Sequence, residues 1–280
     1  MLIPLKDRNP TRIFPYVTIA LITFNIFIFL LQSPFGNERV MVNVLYRFGF
    51  IPRLFVNQFD KVDYAESWEM LRQEFLRRPL QSRGFYRRLQ ELNQRAVLSE
   101  DLENIQRSRL RIEPLTLVTS LFLHGSLFHV LANMLFLWVF GNNIEDAAGH
   151  AKFLLFYLLC GVLASLAHMA VNTSSFIPTV GASGAISGVM GAYLVLYPYV
   201  RVLTIIPFFY FLWYPIELPA FLYLGYWILI QVVLGHFSLF TPGQGGVAWF
   251  AHIGGFFAGV LLIFLFKKRY VRSALPFLED

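Results

Sequence analysis

The sequence predicts an all-α fold, a polytopic membrane protein with six transmembrane helices in one bundle and a long helical first loop. Three observations carry that expectation. Hydrophobic residues make up 56% of the 280 positions and charged residues only 14%, with a mean hydropathy of +0.56, whereas a soluble domain is about one quarter charged. Apolar stretches near the roughly 20 residues that cross a bilayer recur along the chain. Basic clusters flank the series at both ends, Lys6, Arg8 and Arg12 before it and Lys267, Lys268 and Arg269 after it.

The first stretch, Phe14 to Gln32, reads as a retained signal anchor, because it is long for a signal-peptide core and no small-x-small cleavage pattern follows. The others run from Thr116 to Phe140, Phe153 to Val171, Ser183 to Tyr199, Phe221 to Phe237 and Phe250 to Phe266. Between Tyr199 and Phe221 the chain stays apolar but contains Arg201, Pro207, Pro215, Glu217 and Pro219. Three prolines argue against a straight spanning helix, so an interfacial loop or partial helix is expected, with a seventh span as the alternative.

Basic ends belong on the cytoplasmic side, which requires an even number of spans and puts both termini inside. Residues 33–115 then form an extended extracytoplasmic loop 1 within a single membrane domain covering 1–280. That loop carries Arg72, Arg77, Arg78, Arg87 and Arg88, but loops beyond about 60 residues translocate largely regardless of charge. Trp68, Leu71 and Phe75, then Leu89 and Leu92, recur at helical spacing, as in a solvated hairpin or an amphipathic element resting on the membrane. The formal charge of +6 fits headgroup contact and orientation better than nucleic acid, which is not expected as a partner. The single cysteine, Cys160, excludes an intrachain disulfide and reads as a packing residue.

Two polar residues open apolar spans. Ser183 lies in Gly181-Ala182-Ser183-Gly184 and His252 in Ala251-His252-Ile253-Gly254-Gly255. A polar pair in lipid is costly unless its members meet or line a wet cavity. With six spans, the fourth and sixth run in the same direction, so both residues fall near the outer end. Gly184 with Gly188, and Ala251 with Gly255 and Gly259, form small-residue seams that let two helices approach closely. A serine and a histidine so placed suit a nucleophile and its general base, and a helix N-terminus favours an oxyanion. The plainer reading of Ser183 is an ordinary N-cap.

The second span adds His124, His129 and Asn133. The last two are four apart and share a helix face, which suits an oxyanion hole; alternatively each bonds a neighbouring helix. A metal site built from His124, His129 and His252 is disfavoured, since His124 and His129 are five apart and no carboxylate is close in sequence. No metal and no cofactor is expected.

These motifs together resemble the rhomboid family of intramembrane serine proteases: His129-x-x-x-Asn133, Gly181-x-Ser183-Gly184, Ala251-His252-Ile253-Gly254-Gly255, and Gly141-Asn142-Asn143-Ile144-Glu145 after the second span. The resemblance covers about Thr116 to Phe266 plus the first span and implies a rhomboid-like bundle. It implies Ser183 as nucleophile and His252 as base without an acidic third member. His129, Asn133 and the Ser183 backbone N–H would hold the oxyanion, with His124 and Gly181 in support and Glu145 structural. The implied substrates are transmembrane or juxtamembrane segments of membrane proteins, met in the lipid bilayer, and the implied setting is a bacterial cytoplasmic membrane with the site toward the outer face. The fifth span or the loop Ser238 to Trp249 is the expected gate. Two departures stand out: Leu115-Thr116 where many members carry Trp-Arg, and Ser187 where many carry an aromatic residue that packs on the imidazole. The alternative function is a catalytically silent rhomboid-like protein that binds membrane helices.

Overall fold

The computed structural model describes residues 2–32, 38–57, 66, 70, 113–208, 212–240 and 247–268. The periodic residues Trp68, Leu71, Phe75, Leu89 and Leu92 lie outside them, as does Arg269. Six apolar helices form the body: α1 (Tyr16–Gln32), α2 (Leu127–Ala148), α3 (His150–Val171), α4 (Ser183–Leu196), α5 (Ala220–Ser238) and α6 (Trp249–Phe266). By length and composition α2, α3, α5 and α6 can cross a membrane, while α1 and α4 are shorter apolar helices of 17 and 14 residues. The chain is a multi-pass helical membrane protein.

The second helix is displaced along the chain from its apolar stretch. Thr116–Thr119 and Ser120–Phe122 form separate short turns, and Leu123 is extended. Ser126 then caps α2 by accepting the His129 N–H at 3.2 Å. A hydroxyl at that position satisfies one of the free amides of the first turn. His129 and Asn133 therefore lie in the first two turns of α2, which runs on to Ala148.

A β-hairpin occupies the stretch between Tyr199 and Phe221, which corrects the expected loop or partial helix. β2 (Arg201–Phe208) and β3 (Leu212–Pro219) pair antiparallel, and the N-terminal β1 (Ile3–Asp7) pairs with β2 to complete a sheet ordered β1-β2-β3. The prolines that exclude a helix fit this sheet. Pro215 and Pro219 lie on the edge strand β3, and Pro207 lies beyond the residues of β2 that pair with β1, so no shared ladder bond is lost.

At the sheet end of the bundle, polar side chains tie distant segments together. Glu145, fully buried, accepts the backbone N–H of Val17 at 2.9 Å and of Thr18 at 2.8 Å, and the Thr18 hydroxyl at 2.7 Å. A carboxylate of α2 thus caps the free amides and the positive end of α1. Asp7 accepts from Asn143 Nδ2 at 2.7 Å and from the Tyr193 hydroxyl at 2.6 Å, which fastens β1 to α2 and α4. Burial pushes its carboxyl up from 3.8 to about 6, partly offset by those hydrogen bonds.

The core is centred on α4, where residues 184–193 are all buried. Its small residues let neighbours approach to backbone contact. A Cβ added at Gly255 would lie 2.0 Å from the Gly184 carbonyl oxygen, one at Gly259 1.9 Å from the Gly188 oxygen, and one at Gly191 2.1 Å from the Phe256 oxygen. On its other side α4 meets Cys160 and Ala164 of α3, 2.5 and 2.6 Å from Cβ positions built on Gly188 and Gly184. Cys160 is a packing residue.

Gly259→Ala should force α4 and α6 apart and destabilise the bundle by about 1–3 kcal/mol, read as a lower thermal midpoint in detergent. For Asp7, the folded chain holds a proton between pH 3.8 and about 6 that the unfolded chain releases, so its contribution to stability is lost as pH rises through that window. The thermal midpoint should therefore fall less between pH 4 and pH 7 in Asp7→Asn than in the parent.

Candidate active site

The serine side chain does not cap its own helix. The N-cap of α4 is Ala182, which makes no side-chain capping bond, and the first intrahelical bond runs from Ile186 N–H to the Ala182 oxygen. The amides of the first turn are thus left without a side-chain acceptor, at the positive end of the helix. Ser183 Oγ lies 2.8 Å from His252 Nε2. The N-cap reading of Ser183 is set aside by this geometry, and two residues 69 positions apart meet across the α4–α6 seam.

Gly181 joins these residues to α2. Its φ of +125° is a conformation that favours glycine. A Cβ there would lie 2.8 Å from the His129 ring and 3.8 Å from Asn133 Nδ2. The strand of chain that leads into Ser183 therefore runs directly against both side chains, and its Gly181 N–H is anchored on the Ser120 oxygen at 2.9 Å. Asn133 is buried, and its Nδ2 has no hydrogen-bond partner among the described residues. A buried donor left unpaired in a native fold marks either a ligand position or a structural cost.

His124 sits behind this group. It is fully buried, its ring stands edge-on to His129 with centroids 5.0 Å apart, and neither ring nitrogen has a partner among the described residues. Its backbone is held by Gln32 at the end of α1, whose amide bonds both the His124 N–H and carbonyl. Among the described residues no three His, Cys, Asp or Glu side chains converge to hold a metal ion.

Two neighbours of the imidazole carry no sequence motif. Gln231 Oε1 of α5 lies 2.7 Å from His252 Nδ1, and the Trp227 ring lies 5.8 Å from the imidazole, inclined by 38°. Ser187, at the position where an aromatic residue was sought, donates instead to the Ser183 carbonyl at 2.6 Å. An amide inside an apolar span was the available signal for Gln231.

The first loop is anchored without a Trp-Arg pair. Thr119 Oγ1 donates to the Phe48 oxygen at 2.6 Å, Phe50 and Thr179 exchange backbone bonds at 3.2 and 2.7 Å, and Arg53 N–H donates to the Ser175 oxygen at 3.1 Å. The short helix Glu38–Phe48 is thereby joined to the turns before α2, and Phe50 with the helix Pro52–Asn57 to the loop that precedes α4.

Comparison with known proteins agrees with this architecture. The family model described as the Rhomboid domain matches residues 111–269, more than half of the chain. The chain belongs to the rhomboid family. Similar rhomboid proteins include RHOMBOID-like protein 1 of Arabidopsis thaliana, 36% identical over 55% of this chain and 34% of its own length. Rhomboid protein 1, mitochondrial, of Saccharomyces cerevisiae is 28% identical over 52% of this chain and 40% of its length. Rhomboid protease GluP of Bacillus subtilis is 40% identical over 28% of this chain and 15% of its length. The chain therefore spans less than half the length of each of these rhomboid relatives.

Proposed function

We propose that this rhomboid family member is an intramembrane serine endopeptidase that cleaves transmembrane or juxtamembrane peptide bonds of membrane proteins. The 2.8 Å contact between Ser183 Oγ and His252 Nε2 is the observation that carries this reading. His252 takes the hydroxyl proton as Ser183 attacks the scissile carbonyl, then delivers it to the leaving amine; water afterwards releases the acyl group.

The oxyanion is received by the Ser183 backbone N–H, by Asn133 Nδ2 and by His129. Asn133 supports this role because its amide is buried, unpaired among the described residues and set beside the Gly181 segment; such a preset donor needs no reorganisation when charge develops. His124 supports His129 from behind, and Gly181 leaves room for its ring. A scissile carbonyl in an intact helix is already hydrogen-bonded, so substrates with easily unwound segments are favoured.

Chain and setting fit the same scheme. Residues 1–280 are one membrane domain with 33–115 inserted on the site side, both termini are cytoplasmic, and the site opens toward the outer face. The bacterial relative supports a bacterial cytoplasmic membrane, and the yeast relative a mitochondrial one.

Ser183→Ala and His252→Ala should each abolish cleavage of a model transmembrane substrate while expression and thermal midpoint are retained, and a fluorophosphonate should label the parent at Ser183. Cleavage by either variant at the parent rate rejects the pair. Asn133→Ala should lower turnover by about 100-fold, short of the loss at Ser183, because other oxyanion donors remain.

A further inference from the structure

The His252 imidazole is held on its far side by α5. Gln231 is 4% exposed near the middle of that apolar helix, where an unmatched amide would be costly. Its own helix biases its orientation. Nε2 lies 3.4 Å from the Trp227 carbonyl oxygen, and a carbonyl only accepts, so the amide oxygen is the end turned to the imidazole. With that oxygen as acceptor, the 2.7 Å contact calls for the proton on His252 Nδ1. Nε2 is left with its lone pair facing the Ser183 hydroxyl at 2.8 Å, the form a general base needs.

Trp227 and Gln231 are four apart and share the face of α5 that meets the ring. Gly235, one turn further, keeps this face close to α6: a Cβ there would meet Trp249 Cβ at 3.3 Å and Ile253 Cδ1 at 3.4 Å. Ser187 of α4 is turned to the Ser183 carbonyl, so the ring contacts come from Trp227 of α5 at 5.8 Å and, edge-on, from Trp249 of α6 at 6.3 Å.

We propose that α5 positions the base: Gln231 selects the His252 tautomer able to take the Ser183 proton, and Trp227 sets the plane of the ring. Gln231 is a positioning residue that acts through His252, and this role rests on the Ser183–His252 reading above. The titratable groups that act electrostatically on the imidazole from the other helices are His129 of α2 and His168 of α3; Ser183 meets it from α4.

The test uses the full chain in detergent, with Gln231→Leu to remove the acceptor and Gln231→Glu to keep an acceptor and add charge. Gln231→Leu should lower kcat on a model transmembrane substrate by about 10- to 100-fold with KM unchanged, and slow fluorophosphonate labelling of Ser183 in step. Gln231→Glu should label faster than Gln231→Leu, and the acid limb of its kcat profile should move to higher pH, because a carboxylate beside Nδ1 favours the imidazolium. The moved limb reports that position 231 faces Nδ1, and a glutamine that only fills space would leave kcat and labelling at the parent rate in Gln231→Leu. Should Gln231→Leu fail to fold, Gln231→Met serves in its stead. Parent-rate labelling of the Leu or Met variant, or a Glu variant whose acid limb coincides with the parent's, overturns the role of Gln231 alone. A parent whose labelling does not depend on Ser183 overturns the Ser183–His252 pair and this role with it.

Discussion

Because no side chain stands between Gly184 and Gly255 or between Gly188 and Gly259, α4 and α6 touch along their backbones. Helices in lipid gain little from burying apolar surface against each other, so close packing of small residues supplies much of their association. The same contact fixes the site. Ser183 directly precedes the first glycine of one seam and His252 lies three residues before the first glycine of the other. Once those glycines are in register, hydroxyl and imidazole stand opposite each other at the start of the two helices. Architecture and chemistry thus share one constraint, and a shift of the seam by one turn would separate the pair while leaving both helices intact.

The length of α4 gives the site its depth. Its 14 residues span about 21 Å, short of the roughly 30 Å of a hydrocarbon core, while His252 lies one turn inside α6 and Asn133 two turns inside α2. The polar groups therefore gather in a layer below the helix ends. At the other end of the bundle the buried carboxylate of Glu145 is matched by Val17 and Thr18, whereas Asn25 Oδ1, Tyr157 OH and His168 Nδ1 are buried without a partner among the described residues. Of the buried atoms unpaired among the described residues, Asn133 Nδ2 lies against the Gly181 segment that leads into Ser183, and the His124 ring stands behind it against His129.

The helical bundle and the meeting of Ser183 with His252 were legible in the sequence because both depend on local patterns, apolar length and small residues spaced by four. The displaced start of α2 was not, since the turns over Thr116–Phe122 are as apolar as the helix and only Gly125-Ser126 marks the break. The sheet was hidden for a different reason: β2 finds its second partner in β1, about 200 residues earlier in the chain, and apolar residues on both faces mask a strand's alternation. Gln231 belongs to no motif, and a lone glutamine in a span announces a cost without naming the residue that relieves it. The periodic residues of the long first loop fall outside the described structure, and their expectation stands as the sequence alone states it.

The sheet also sets how α5 can move. Its first residue, Ala220, is buried and bonded to the Val200 oxygen, and Phe221 N–H is bonded to the Pro198 oxygen, while β1 locks the hairpin that feeds it. With this end held, any sideways displacement of α5 would grow toward Ser238. Gln231 stands about 16 Å along the axis from Ala220, so a tilt of about 10° would carry it about 3 Å. That travel exceeds the reach of its bond to the imidazole. Under the proposed function, a molecule that parted α5 from α6 would thus loosen the imidazole on arrival, and proton transfer would wait for the helix to return.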